Sequence, residues 1–382
     1  MESPFIFGKV ATADYFTNRT QDIKKLVTNF NSLVNTVVIS PRRWGKSSLV
    51  KRAAEITRQS HPDVRFCFID MYNIRTEEQF YQLLSQNVLQ ASSSRFEEIL
   101  ETSKKFLTSL LPKISFSPDM TNEFSLSADW EEVKKQPDEI IELAENVAKS
   151  KNFKLVVCID EFQNISSFDE PLEFQKKLRS HWQYHTNVSY CLYGSKRHML
   201  LDVFNSQSMP FYKFGDIMFL SKIGEEHWVP FIQKRFSVTG KTIPEENAHL
   251  ICSLSENHSF YVQQLAHLVW NETIKECSAD NVTTAFENLL LQLGFLYQTN
   301  IDSLSNTQVN FLNALIKGET RLSSKDVIRK YKLGTSANVS RIKQELENKE
   351  VIEIQGERIE FLDPMYNNWL KNHYFLKEPK GE

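Results

Sequence analysis

The sequence predicts an α/β protein with a parallel sheet, followed by a helical segment and a C-terminal winged helix-turn-helix domain. Up to about residue 222, β-branched apolar runs alternate with amphipathic helical patterns, which is typical of a parallel sheet with crossover helices. Beyond that residue, apolar side chains recur at helical spacing. From Ser305, three short helical patterns precede two alternating stretches around Gly356, which indicates three helices and a two-stranded wing.

Length and composition are those of a globular protein with two or three domains. The chain has 382 residues, of which 41% are hydrophobic and 24% charged, and its formal net charge is −3. This charge excludes a global attraction to nucleic acid or anionic membrane, and no apolar run is long enough to span a bilayer. We expect no signal peptide. The five cysteines lack metal-ligand spacing, so we expect reduced thiols in a cytoplasmic protein.

The first candidate site lies between a strand and a helix. The run Thr36–Ile39 leads into a short polar loop, and Gly45-Lys46-Ser47 opens a helical pattern. This order is typical of a phosphate-binding loop, in which backbone N–H groups and the helix dipole hold phosphate. The alternative is a chance Gly-Lys-Ser at a helix start. Ser40 stands where glycine is usual, so we expect it to be strained in a left-handed conformation. The candidate nucleotide-binding residues here are Ser40, Pro41, Arg42, Arg43, Trp44, Gly45, Lys46, Ser47 and Ser48.

The second candidate site follows an unbroken apolar run that predicts a strand buried on both faces. This strand ends in two adjacent carboxylates, Asp160 and Glu161. In a phosphate-loop enzyme, such an aspartate binds Mg²⁺ together with the loop hydroxyl, here Ser47, while the loop lysine, Lys46, reaches the outer phosphates. The next carboxylate polarises the attacking water. The alternative is an ordinary strand with an acidic turn.

Two further segments supply candidate residues. Val188–Gly194 predicts another strand, and Ser195 after it would order the attacking water or touch the γ-phosphate. Asn18 and Arg19 precede a helical pattern, at a place where nucleotide-binding cores often set a segment against adenine. The alternative is a helix on the sheet edge with Arg19 as a surface charge.

These patterns divide the chain into four parts. Residues 1–222 are expected to form the α/β core, with an insertion at about 92–135 that contains a hairpin. Residues 223–300 are expected to form a four-helix lid, and residues 301–375 the winged-helix domain. Residues 376–382 are a tail.

The winged-helix segment lacks the strong positive charge of most DNA-reading domains. From Ser305 to Glu382 there are 13 Lys and Arg against 11 Asp and Glu, a net charge of +2. The helix in the recognition position, Ala337 to Asn348, carries basic and acidic side chains alike. Since phosphate neutralisation supplies much of the affinity for DNA, a protein-contacting or structural role is an equal alternative.

Several short motifs occur together in this chain: Phe16-Thr17-Asn18-Arg19, Pro41-Arg42-Arg43-x-Gly45-Lys46-Ser47, Ile159-Asp160-Glu161-Phe162-Gln163, Tyr193-Gly194-Ser195, Asn257-His258-Ser259-Phe260-Tyr261 and Leu362-Asp363-Pro364. With them the chain resembles the predominantly archaeal family of P-loop ATPases, which are AAA+- and STAND-like and related to origin-recognition initiators. The resemblance covers nearly the whole chain. It departs from the family at Ser40, and at Asn257-His258-Ser259, where the family has Gly-x-Pro.

The resemblance implies a P-loop AAA+-like core that binds ATP and Mg²⁺. It places Lys46 and Ser47 on phosphate and metal, and Asp160 on the metal. It makes Glu161 the base that activates water and Ser195 a polar sensor. Asn18 and Arg19 would border the adenine.

We therefore expect a slow, Mg²⁺-dependent ATPase that acts as a nucleotide-controlled switch. The alternative is a nucleotide-stabilised DNA-binding or adaptor protein with little hydrolysis. Expected partners are ATP, DNA or a protein at the winged helix, and no membrane; a nucleotide-dependent oligomer is a third hypothesis.

Overall fold

A computed structural model of the protein describes residues 2–11, 15–93, 96–108, 114–118, 124–128, 133 and 137–375. By its internal contacts the chain divides into two units: Asn18–Ser221, and Met1–Thr17 together with Lys222–Glu382. In the described part of the chain, no helix is both long and apolar enough to cross a membrane.

The strands and helices of the described residues are numbered in chain order. The strands are β1 (Thr36–Ile39), β2 (Val64–Asp70), β3 (Ile114–Pro118), β4 (Phe124–Ala128), β5 (Lys154–Asp160), β6 (Val188–Gly194), β7 (Asp216–Phe219), β8 (Ile352–Gln355) and β9 (Arg358–Phe361). The α-helices are α1 (Thr20–Asn31), α2 (Lys46–Ser60), α3 (Glu77–Ser92), α4 (Phe96–Phe106), α5 (Asp138–Ser150), α6 (Pro171–Trp182), α7 (Arg197–Asn205), α8 (Glu225–Ser237), α9 (Glu245–Leu254), α10 (Ser259–Glu272), α11 (Ala279–Asp302), α12 (Asn306–Ile316), α13 (Lys325–Lys330), α14 (Ser336–Asn348) and α15 (Pro364–Trp369).

The first unit is built on a parallel five-stranded sheet, which confirms the predicted fold class. The strand order is β2-β5-β6-β1-β7, and every neighbouring pair is parallel. All seven residues of β6 are buried, as are the five central residues of β5. Burial on both faces explains why these strands read as unbroken apolar runs.

The carboxyl ends of the strands define one edge of this sheet. Ile39 pairs with Gly194 on one side and with Phe219 on the other. Asp70 pairs with Asp160. Because loops that leave parallel strands at one edge start close together, this edge is where ligands bind in open α/β sheets.

The predicted insertion contains the predicted hairpin strands. β3 and β4 pair antiparallel, with Ile114 opposite Ala128 and Pro118 opposite Phe124. The residues that join the two strands, 119–123, lie outside the described residues. The period-two alternation therefore identified a real pair of strands.

The second unit holds the four predicted lid helices and the winged helix around one shared core. Buried side chains from α8 to α11 cluster with those of α12, α14 and β8. The fourth helix, α11, runs to Asp302, two residues beyond the predicted boundary of the lid at residue 300. The helix continues because Tyr297 and Ile301, about one turn apart on the same face, are buried in this shared core. The wing is the antiparallel pair β8 and β9.

The N-terminal residues pack within the second unit, although the sequence assigned them to the core. Phe5 lies against Phe236 with ring centroids 5.8 Å apart, and Phe7 lies 5.9 Å from Phe260. The guanidinium of Arg235 stacks over the ring of Tyr15 at 4.7 Å. Burial of these aromatic rings against the lid helices explains why the first 17 residues belong to this unit.

Candidate functional site

The loop between β1 and α2 bends through two left-handed residues, Arg43 with φ 64° and Gly45 with φ 92°. Ser40 is not among the positive-φ residues, so the expectation that Ser40 carries left-handed strain is wrong. Its side chain is 1% exposed and its hydroxyl donates to the carbonyl of Pro41 at 3.2 Å. Serine is tolerated here because the turn places its left-handed conformation three and five residues later, at Arg43 and at a glycine.

The remaining loop residues differ in exposure. Pro41 is buried, Arg42 and Arg43 are exposed, and Trp44 is half-buried. Gly45 occupies the N-cap position of α2 and offers no side chain to the first amides of the helix. Ser48, in the first turn, is buried.

The start of α2 meets the end of β5. The Ser47 hydroxyl donates to Oδ2 of Asp160 at 2.7 Å. The Lys46 ammonium lies 3.2 Å from Oε1 of Glu161 and 3.7 Å from Oδ1 of Asp160. The structure thus brings two adjacent pairs of candidate residues together, although 113 to 115 positions separate the contacting partners in the chain.

A second oxygen of Glu161 is held from the other side. Ser195 donates to Oε2 through its hydroxyl at 2.9 Å and through its backbone N–H at 3.3 Å. The side-chain amide of Gln163 also donates to Oε2. Sequence reasoning gave Gln163 no role, although it ends the Asp-Glu-Phe-Gln motif. The motif could have indicated a role for Gln163 at the site. The contact itself, however, depends on how the chain turns at Glu161, which has φ 54°.

The two carboxylates have opposite pKa shifts. Burial raises the pKa of Asp160, and the Lys46 charge and the Ser47 hydrogen bond only partly oppose it. Burial also acts to raise the pKa of Glu161, but the Lys46 charge and hydrogen bonds from Gln163, Ser195 and Lys46 outweigh it, so that pKa is lowered. Glu161 accepts more hydrogen bonds and lies closer to Lys46, while the charge of Glu161 further raises the pKa of Asp160.

Arg19 is buried rather than a surface charge, with 7% of the residue exposed. Its guanidinium donates to the carbonyl oxygens of Ser221 at 2.7 Å and Trp44 at 3.2 Å, and lies 3.5 Å from Asp22. The alternative that made it a surface charge on α1 is therefore wrong. Asn18 and Arg19 both have left-handed backbones, with φ 57° and 66°. Their contact with adenine stays a prediction.

The chain was compared with known families and structures. The family described as the ATPase domain predominantly from Archaea matches residues 16–254, and a probable winged helix domain matches residues 295–372. A comparison with proteins of curated function found no significant match.

Three solved structures illustrate the shared fold. A Walker-type ATPase of Pyrococcus abyssi is 17% identical, with a TM-score of 0.68 over 96% of this chain and 99% of that one. The ADP form of the Aeropyrum pernix ORC2 protein is 12% identical, with a TM-score of 0.51 over 92% of each chain. The Aeropyrum pernix ORC1 protein in complex with DNA is 11% identical, with a TM-score of 0.50 over 99% of this chain and 100% of that one.

At these identities the structural neighbours establish the fold alone, and it is the family match, over more than half of the residues, that establishes membership. The chain belongs to the family of ATPase domains found predominantly in Archaea, and it carries a C-terminal winged helix.

Proposed function

We propose that the protein binds ATP, hydrolyses it slowly with Mg²⁺, and uses the nucleotide state as a switch. The observation that carries this proposal is the meeting of Lys46 and Ser47, at the start of α2, with Asp160 and Glu161, at the end of β5. Membership of an ATPase-domain family supports a nucleotide as the ligand.

The phosphates would bind at the turn from β1 into α2. Residues Ser40 to Ser48 would wrap them with backbone N–H groups, because the first amides of α2 have no side-chain cap and lie at the positive end of the helix dipole. Lys46 would add a full positive charge. A bound phosphate competes with Glu161 for this ammonium, so binding exchanges one anionic partner of Lys46 for another.

Ser47 and Asp160 would hold the metal ion. A hydroxyl and a carboxylate oxygen 2.7 Å apart fit Mg²⁺, which prefers oxygen ligands and takes few of them from the protein when phosphates are present. The metal would neutralise charge on the phosphate oxygens. Among the described residues, His, Cys, Asp and Glu form no cluster of three suited to a metal.

Glu161 would act as the general base. It would take a proton from water as the water oxygen attacks the γ-phosphorus, and ADP and phosphate would leave as the bond to the bridging oxygen breaks. Because its pKa is lowered, Glu161 is ionised and ready to accept that proton at neutral pH. Ser195 would keep the carboxylate in place through its two hydrogen bonds.

Slow turnover and switching are the finer parts of the proposal. An arginine supplied to the γ-phosphate accelerates such reactions by about 10³–10⁵. Arg235, on α8, is stacked between Tyr15 and Phe231 of its own unit. The lid and winged helix share one core, so we propose that they respond to nucleotide as one body.

Phosphate release in the presence of Mg-ATP tests the proposal. Glu161→Gln removes the base and should reduce the rate by about 100-fold or more, while leaving ATP binding intact. Glu173→Gln, on the exposed face of α6, is the matched control and should hydrolyse like wild type. Equal rates for Glu161→Gln and wild type would show that the base is assigned wrongly.

DNA binding by the winged helix is a second candidate function. The family match places a winged helix at residues 295–372, and one structural neighbour was solved with DNA. However, Arg341 in α14 lies 3.7 Å from the carboxylate of Glu345, so part of the positive charge of this helix is locally compensated. A protein partner is therefore retained as the alternative.

An electrophoretic shift on random duplex DNA at low salt separates these two partners. A DNA-binding winged helix should shift the duplex, and a double variant Arg341→Ala, Lys343→Ala should weaken the shift and its salt dependence. No shift at low salt would remove the DNA hypothesis and favour a protein partner. We also propose a cytoplasmic location, which the five buried free thiols support.

A further inference from the structure

Gln163 is a buried polar residue whose side-chain amide has a partner for its nitrogen and none for its oxygen in the described part of the chain. It is 1% exposed and lies in the short 3-10 helix that follows β5. Its Nε2 donates to Oε2 of Glu161, but its Oε1 is buried with no hydrogen-bond partner in the described part of the chain. A buried acceptor without a partner is unfavourable, so the hydrogen bond from Nε2 to Glu161 is what this side chain contributes at the site.

The amide of Gln163 occupies space that a glycine leaves open at the end of the neighbouring strand. A Cβ atom added to Gly194 would lie 1.8 Å from Oε1 and 2.9 Å from Cδ of Gln163. Any side chain at position 194 would therefore displace this amide. Gly194 has an ordinary negative φ, so its backbone conformation does not require glycine; the close approach of Gln163 does.

The two oxygens of Glu161 consequently have different surroundings. Oε2 accepts from Gln163 and twice from Ser195, whereas Oε1 faces the Lys46 ammonium at 3.2 Å. A phosphate that draws Lys46 away leaves Oε1 as the oxygen without a protein donor among these contacts. The donors on Oε2 then decide where Oε1 points.

We propose that Gln163 is a positioning residue for ATP hydrolysis, which orients Oε1 of Glu161 toward the phosphate loop, and that Gly194 provides the space for it. This inference rests on the proposed function, because it assigns Gln163 to the same reaction. Gln163 would act through Glu161 and contribute to the chemical step, with no part in holding ATP.

The test compares Gln163→Met with Gln175→Met. Methionine preserves the length of the side chain but cannot donate to Glu161. Gln175, in α6, is the matched control, since it is 2% exposed and also has an unpartnered buried Oε1 in the described structure. Calorimetry gives the Kd for ATP, single-turnover phosphate release gives the chemical rate, and thermal unfolding confirms folding.

We expect Gln163→Met to bind ATP within about threefold of wild type and to lose about 10- to 100-fold in single-turnover rate, as for a misplaced catalytic group. Gln175→Met should retain both values. A wild-type rate for Gln163→Met overturns the positioning role. An equal loss of affinity and rate also overturns it, because it would indicate a general structural defect.

A double-mutant cycle tests the part played by Gly194. Gly194→Ala alone should slow hydrolysis, because its methyl group displaces the Gln163 amide. In a Gln163→Ala background there is no amide to displace, so Gly194→Ala should add little further loss. An equal loss in both backgrounds would show that Gly194 does not act through Gln163.

Phosphate release by wild type and by Glu161→Gln, measured in parallel, distinguishes a failure of this inference from a failure of the proposed function. If Glu161→Gln hydrolyses like wild type, the base assignment fails and the role of Gln163 fails with it. If Glu161→Gln is slow and Gln163→Met is not, only the positioning role is overturned.

Discussion

The Lys46 ammonium lies 3.2 Å from Oε1 of Glu161 and 3.7 Å from Oδ1 of Asp160, and its side chain is 8% exposed. One buried cation therefore balances two adjacent carboxylates. This arrangement couples the proposed phosphate-binding residue to the proposed base, and it also makes Lys46 a structural residue.

Replacing Lys46 by methionine should destabilise the protein as well as abolish ATP binding. Two neighbouring carboxylates would lose their cation, and removing one partner of a buried ion pair typically costs about 3–5 kcal/mol. The loss should be largest near pH 7 and shrink as pH falls below about 4, because protonation of Glu161 and Asp160 relieves the repulsion. Urea unfolding at several pH values measures this.

The direction of this pH dependence follows from the lowered pKa of Glu161 in the folded protein. That shift stabilises the wild type above the unfolded-state pKa of about 4.3, and the contribution disappears as the pH falls through the folded-state value. Lys51→Met, on the exposed face of α2, is the control and should show no such dependence. A pH-independent loss in Lys46→Met would contradict the electrostatic explanation.

Arg19→Ala should weaken the first unit and the phosphate loop together. The buried guanidinium donates to the carbonyls of Trp44 and Ser221, and its removal leaves both without that donor. We expect a loss of about 2 kcal/mol in unfolding free energy, and weaker ATP binding. Arg19→Lys should recover little of this loss, because one ammonium group cannot reproduce the several fixed N–H donors of a planar guanidinium.

The control is Arg52→Ala, because the ion pair of Arg52 with Glu55 is more exposed. Equal losses of unfolding free energy in the two alanine variants would show that the hydrogen bonds of Arg19 do not stabilise the loop.

The elements that position the site could be predicted from local sequence. The apolar run of β5 identifies a doubly buried strand, and the acidic pair at its end marks the carboxyl edge of the sheet. The β-branched run and Gly-Lys-Ser likewise fixed the β1–α2 connection. These features can be predicted locally because a few consecutive residues determine whether a strand is buried and where a helix begins.

The interactions inside the site could not be predicted in this way. The Gln163 amide meets Gly194 only because β5 and β6 are neighbours in the register found here, so two positions 31 apart in the chain come into contact. The left-handed residues of the loop are Arg43 and Gly45 instead of Ser40, since the path of the whole loop selects them. The burial of Arg19 depends on carbonyl groups from two distant segments. None of these three interactions produces a repeating pattern of residues in the local sequence, so none could be detected there.

The cysteines should be unreactive in the folded protein. All five are free and buried, and burial raises the pKa of Cys67 and of Cys252, the latter to about 12. Since the thiolate is the reactive form, a disulfide reagent at pH 8 should label the native protein only at the rate of unfolding. All five thiols should react in urea. A fast-reacting thiol in native protein, located by peptide mass analysis, would contradict the burial.

Asp363 should control how firmly the winged helix is attached within the second unit. Its carboxylate accepts from the hydroxyls of Tyr261 at 2.6 Å and Tyr297 at 3.2 Å, and it caps α15 through the backbone N–H groups of Met365 and Tyr366. Asp363→Ala removes the cap and leaves two buried hydroxyls without their acceptor. We expect a loss of about 3 kcal/mol in the unfolding free energy of this unit.

Asp363→Asn should behave differently, because an amide retains one acceptor for the cap and the tyrosine hydroxyls can rotate to accept from its N–H. Burial raises the pKa of Asp363, with hydrogen bonds from Tyr261 and Tyr297 among those opposing it. The folded protein thus holds the proton more tightly than the unfolded chain, whose pKa is about 3.9, so this residue stabilises less as pH rises through the folded-state pKa. Urea unfolding from pH 4 to 7 should therefore show that the unfolding free energy of Asp363→Asn increases relative to that of wild type as pH rises. A difference that stays constant, or that moves the opposite way, would mean that burial does not raise the pKa of this carboxyl group.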